Sequence, residues 1–305
     1  MDQRKPLPSV FQNVLCPVDF SDCSAAGVRY AAAVARCQTA RLTVLHADRF
    51  SAPPYFTQSQ VAQLAEQAKQ WRAGAKTSLE EFIRAAVGAE LPETTWRVVE
   101  NDPHEAIMGT ADAIHADLIV MGTHGRSGVN RLLLGSVAEE VLRMARIPLL
   151  AVRTGLSRVE IPARRVLCPV NHSPEARRAL DLATLVAACF GASVTVLRVG
   201  QPRQSGTIPD LHSWISDAQR MRCRIDEVTR EGNVAQETVM AASESNCDLV
   251  VIGARHHRFL DGTLLGTTTE RVVRHNPCPV MVVPLEGNET PREAFPMPPT
   301  VWRTR

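Results

Sequence analysis

The chain repeats itself, and the repeat limits its fold more than any other feature. Val14-Leu15-Cys16-Pro17-Val18-Asp19 returns as Val166-Leu167-Cys168-Pro169-Val170-Asn171, a displacement of 152 positions from Cys16 to Cys168. Near the end of each copy, Ile147-Pro148-Leu149-Leu150-Ala151-Val152 returns as Cys278-Pro279-Val280-Met281-Val282-Val283, displaced by 131 positions from Pro148 to Pro279. The second copy is therefore shorter by 21 residues, the difference between the two displacements. The loss falls where the first copy has a long helical stretch, Thr57 to Val87. Two similar units in 305 residues are two domains of ordinary size. The boundaries fall at 9–154 and 163–285, with a linker at Thr154–Ala163 and a proline-bearing tail over 286–305.

Each copy alternates apolar runs with helical spacing, the pattern of parallel βαβ units with right-handed crossovers. The first copy predicts strands at Val14–Val18, Leu42–Leu45, Thr95–Val99, Leu118–Met121 and Leu149–Val152. Its helices are predicted over Ala25–Cys37 with Ser24 as N-cap, through the long middle stretch, from Asp102-Pro103, and over Ser136–Met144. The second copy predicts strands at Val166–Val170, Val194–Val199, Arg224–Val228, Leu249–Ile252 and Val280–Val283. Aromatic residues are 5% of the chain, so Val, Leu, Ile and Ala must fill the core, as suits buried parallel strands.

Several function classes drop out. With 34 basic and 32 acidic residues the formal charge is +2, which gives no electrostatic case for nucleic acid. No apolar run approaches a membrane span, and the polar start Met1–Pro8 does not read as a secretory signal. The eight cysteines form no CxxC pair, which argues against a zinc site or a thioredoxin-type motif. Cys16 and Cys168 read as core strand residues, and a reducing cytoplasm is the simplest location. His256-His257 is an unpromising metal pair, because adjacent side chains rarely point at one ion. No metal ligand set is read. There is no P-loop lysine and no GxSxG elbow, and no catalytic constellation is recognised.

The informative segment is Met121-Gly122-Thr123-His124-Gly125-Arg126, continuing through Arg131 to Gly135-Ser136-Val137. It leaves a buried strand and ends at a helix start. Gly122 and Gly125 read as places where a ligand approaches the backbone. Gly135-Ser136 at a helix N-terminus offers N–H groups and the positive dipole end to phosphate. Arg126 and Arg131 are candidates for charge-assisted contacts, although a solvated surface role competes. Asp19, at the end of the first strand, faces the same crevice if the first and fourth strands are neighbours. Its carboxylate could accept from an adenine amino group or a ribose hydroxyl.

The spacing Gly122-x2-Gly125-x9-Gly135-Ser136 resembles the ATP-binding signature of the universal stress protein family. So does Cys16-Pro17-Val18-Asp19-Phe20-Ser21. The resemblance spans both copies, from about Val14 to Val283. It implies an α/β fold: two tandem doubly wound five-stranded parallel sheets of strand order 3-2-1-4-5, packed as a pseudo-dimer through their last strands. It also implies adenine near Asp19 and Ala47, with phosphates on the Gly125 and Gly135-Ser136 elements. The candidate cofactor-binding set is Pro17, Val18, Asp19, Ala47, Met121, Gly122, His124, Gly125, Arg126, Gly135, Ser136 and Val137. The ligand implied is ATP, with ADP or AMP as variants and Mg2+ as the counter-ion ATP would bring. A further homodimer is compatible with this plan. The second copy departs from it: His256 stands where Gly125 stood and Asn171 where Asp19 stood, while Gly266-Thr267 keeps the helix start. The expected function is a nucleotide-responsive stress regulator. The alternatives are a slow ATP hydrolase or phosphotransfer protein, and a scaffold with a vestigial nucleotide site.

Overall fold

The computed structural model describes residues 10–48, 57–88, 91–124, 134–153, 163–200, 210–254, 256–259 and 262–285. The first repeat runs β1 (Asn13–Val18), α1 (Asp22–Gln38), β2 (Arg41–Asp48), α2 (Gln58–Val87), β3 (Thr94–Glu100), α3 (Pro103–Ala113), β4 (Leu118–Gly122), α4 (Ser136–Met144) and β5 (Leu149–Val152). The second begins β6 (Arg165–Val170), α5 (Pro174–Phe190), β7 (Ser193–Gly200), α6 (Leu211–Trp214), α7 (Asp217–Arg222), β8 (Ile225–Glu231) and α8 (Val234–Glu244). It ends β9 (Leu249–Ala254), β10 (His256–Phe259), β11 (Gly262–Leu265), α9 (Thr267–His275) and β12 (Val280–Pro284). The missing 21 residues are accounted for locally: the 30-residue α2 is replaced by the short pair α6 and α7.

Ten strands form one sheet in the order β3-β2-β1-β4-β5-β12-β9-β6-β7-β8. Within each repeat all pairings of this ten-stranded sheet are parallel. Where the repeats meet, β5 and β12 pair antiparallel, with Leu150 opposite Met281. The two sheets are thus one continuous sheet rather than two layers in face-to-face contact. This satisfies backbone groups that an isolated five-stranded sheet would leave exposed along its edge.

Successive residues of β1 go to opposite faces. Val14, Cys16 and Val18 join a core with residues of α1, α2 and α5, whereas Leu15 joins a second core with α3, α4, α8 and α9. Both cores run through both repeats. Cys16 and Cys168 are fully buried strand residues, and burial pushes both thiols far above the ordinary cysteine range. Trp214 packs partly buried against the first of these cores. Among the described residues no helix is long and apolar enough to cross a membrane.

One sequence expectation needs correction. The N-cap of α1 is Ser21, not Ser24: the Ser21 hydroxyl accepts from the Ser24 N–H at 3.2 Å. Ser173 caps α5 in the same way, accepting from Ala176 N–H. Ser24 instead turns its hydroxyl back to donate to the Ser21 carbonyl. The stretch after β9 holds an antiparallel hairpin not anticipated from the sequence, β10 with β11, which lies against α4 of the first repeat.

Leu149, Leu150, Met281 and Val282 are all buried at the junction. Leu150→Ala should therefore cost about 2–5 kcal/mol in urea denaturation. Met144→Ala, at a side chain 43% exposed, should change stability by less than about 0.5 kcal/mol.

Candidate functional site

The carboxyl ends of β1 and β4 are neighbours, with β2 on the far side of β1. This is the topological switch point, where an open α/β sheet leaves a crevice. A cavity of about 370 Å3 opens there, within the usual range for small-molecule sites. Its wall comes from the ends of three strands and the starts of three helices.

Asp19 follows β1. Its Oδ1 accepts from both the N–H and the hydroxyl of Ser21, so the carboxylate is fixed by the cap of α1. Phe20, between them, takes a left-handed backbone conformation with φ 64°, unusual for a residue with a Cβ. Packing holds it there: its ring lies 4.6 Å from His46 and 5.3 Å from Phe82, centroid to centroid. His46 is buried in β2 and its Nδ1–H donates to the Val18 carbonyl at 2.9 Å, tying the ends of β1 and β2 together. Ala47 follows, and its small side chain leaves the cavity open.

Across the crevice, β4 ends in Met121 and Gly122. Thr123 is buried, and its N–H donates to the Val152 carbonyl at 2.8 Å. The Thr123 carbonyl accepts from Gly135 N–H at 2.8 Å, which ties the end of β4 to the start of α4. His124 Nδ1 lies 2.8 Å from the Thr123 hydroxyl. Gly135 is the N-cap of α4 and supplies no side-chain cap. As in any helix, the first N–H groups of α4 have no partner from the helix itself, and Ser136, Val137 and Ala138, which carry them, line the cavity. One end of the crevice carries a carboxylate and the other a helix dipole's positive end.

Of the twelve residues singled out by sequence, Pro17, Val18, Asp19, Ala47, Met121, Gly122, His124, Gly135, Ser136 and Val137 line this cavity together. Gly125, Arg126 and also Arg131 lie outside the described residues. Sequence reading missed Ser24, Leu45, His46, Pro103, Ile107, Thr123 and Ala138. The strand pattern carried a signal for Leu45 and His46, which immediately precede Ala47. Pro103 and Ile107 come from α3, and nothing local marks them. Gly122 also has a packing reason to be glycine: a Cβ there would meet the Cys23 backbone carbonyl carbon at 3.0 Å and its oxygen at 3.1 Å, so this residue makes room for α1 as well as lining the cavity.

The second repeat places different chemistry on the same frame. Asn171 stands for Asp19, Arg198 for His46, Val199 for Ala47 and His256 for Gly125. Thr269 replaces Ala138, and its hydroxyl reaches the Gly253 carbonyl at 3.5 Å, bridging the strand end and the helix start. His172, the counterpart of Phe20, packs edge-on against Trp214, whose ring also carries the Arg177 guanidinium at 4.0 Å.

Comparison with known proteins bears on this frame directly. The model of the universal stress protein family matches residues 11–153 and again 162–284. The chain belongs to the universal stress protein family. A universal stress protein of Thermus aquaticus is 34% identical over 148 residues, 47% of this chain and all of its own length. One from Methanocaldococcus jannaschii is 26% identical over 163 residues, 47% of this chain and 96% of its own length. The crystal structure of a universal stress protein from Archaeoglobus fulgidus superposes with a TM-score of 0.69 at 22% identity. It covers 90% of this chain and 98% of that one, a likeness of fold. These matches fit the architecture: single-unit relatives align with about half the chain, and the A. fulgidus protein with nearly all of it.

Gly122 and its counterpart Gly253 make a paired test. A Cβ at Gly253 would stand 2.6 Å from the Glu175 backbone, closer than at Gly122. Gly253→Ala should destabilise by about 1–3 kcal/mol, and Gly122→Ala by less, when the two are compared by denaturant unfolding.

Proposed function

We propose that the first repeat binds an adenine nucleotide, ATP in the first place, and that the protein is a nucleotide-responsive stress regulator. The observation that carries this reading is the cavity joining Asp19 to the N-terminus of α4. Asp19 would accept from the ribose or the base, beside the small Ala47. The opening N–H groups of α4, with the Ser136 hydroxyl, would take the phosphates. Gly125 and Arg126 would complete the phosphate end, and Mg2+ would accompany ATP as its counter-ion.

In this reading the second repeat is partner and scaffold. Val199 adds bulk where the base would lie, and Thr269 ties the strand end to the helix start. The two units, 9–154 and 163–285, would act as an intramolecular pseudo-dimer with the tail 286–305 appended, in the cytoplasm. No nucleic acid or membrane partner is invoked.

Titration calorimetry of the full chain with ATP should give one site per chain. Ala47→Val and Gly125→His, which copy Val199 and His256, should each weaken binding at least tenfold, about 1.4 kcal/mol, with the fold retained. Two equivalent sites, or unchanged affinity in both variants, would overturn the assignment. Following bound ATP over hours separates a regulator from a slow hydrolase, since a regulator leaves it intact.

A further inference from the structure

We propose that Asp102, His104 and Glu140 form a binding site for a first-row divalent cation, Zn2+ foremost, on the seam between α3 and α4. His104 Nδ1 lies 3.0 Å from Glu140 Oε2 and within contact of Asp102 Oδ1. One donor atom from each residue falls within 4.8 Å of the others. Donors held about 2.0–2.2 Å from one zinc ion stand at most about 4.4 Å apart. His104 Nδ1 is at hydrogen-bonding distance from both carboxylates, so the donors must spread slightly to admit an ion, which rotation of the half-exposed Glu140 side chain allows. One imidazole nitrogen with two carboxylate oxygens is a mixed donor set that suits zinc better than the all-oxygen ions Mg2+ and Ca2+. A fourth position would be left for water.

The fold does not require these three side chains, and the second repeat demonstrates it. At the corresponding positions of α8 and α9 it carries Asn233, Ala235 and Arg271. Asn233 caps α8 by accepting from the N–H groups of Ala235 and Gln236, much as Asp102 accepts from His104 N–H in α3. Capping accounts for position 102 in both repeats. It accounts for neither the imidazole nor the second carboxylate, which occur together beside the cavity of the first repeat. Their placement couples them to that cavity: Pro103 and Ile107 of α3, and Val137 and Ala138 of α4, are part of its wall. An ion at the seam would hold the two helices at a set spacing and so set the width of the crevice. The inference stands independently of which ligand the crevice takes.

The test uses the full chain stripped with a chelator, and substitutions the second repeat already tolerates. Zn2+ is titrated against a chromophoric competitor into the wild type and into the His104→Ala, Glu140→Arg double variant. Asp102→Asn, which keeps the cap, is run alongside. Losing a direct ligand should weaken the affected Zn2+ equivalent by roughly tenfold or more, no less than the loss of an outer-shell partner. Zn2+ should raise the melting temperature of the wild type but not of the double variant. Co2+ should give weak visible bands without thiolate charge-transfer absorption, which separates this site from any at the cysteines. Equal Zn2+ affinity in wild type and double variant would overturn the proposal. So would a wild type that takes no Zn2+ at micromolar concentration: the trio would then be an imidazole N–H shared between two carboxylates.

Discussion

A parallel sheet of five strands ends in a strand with bonding groups along one side and no neighbour to receive them. In this chain that edge is β5, whose Leu149–Val152 is apolar throughout. Water would solvate the backbone, but the flanking Leu and Val side chains would then be exposed with it. The antiparallel ladder to β12 settles both demands at once. Much else follows from it. The two cores become continuous across the junction, and α1 and α5 come to lie on the same face of the sheet.

The fold was legible because its evidence is distributed. A strand such as Val14–Val18 announces itself by an unbroken apolar run, and the same run at Val166–Val170 repeats the message independently. Signals that depend on a single side chain were less secure. Ser21 and Ser24 are both good capping residues, and the choice between them is made by Asp19, whose carboxylate draws the Ser21 hydroxyl and N–H into the turn. The hairpin of β10 and β11 was hidden because His-His-Arg-Phe shows no alternation of apolar and polar positions.

The same contrast holds at the site. Asp19 and the Gly135-Ser136 start of α4 could be named because strand ends and helix starts are where such a fold exposes chemistry, whereas Ala47 was implied by the family resemblance alone. Ile107 and Pro103 could not, since only the packing of α3 over β2 brings them to the wall. Asp102 and Glu140 are 38 positions apart, and no spacing rule links them. Gly122 is the instructive case: its place in the cavity wall could be read from the sequence, but not the close approach of α1 that its missing side chain permits.

The covalent joining of the two repeats has a consequence for how the junction behaves in solution. Were β5 and β12 on separate molecules, their association would follow mass action and weaken on dilution. Within one chain the encounter is unimolecular, governed by the effective concentration that the tether imposes. The assembled sheet is then indifferent to how many copies a cell holds. Each half is also released from identity with the other, because a substitution appears once and not on both sides of the axis. A protein built this way stays assembled at the lowest abundance while its two halves drift toward separate tasks.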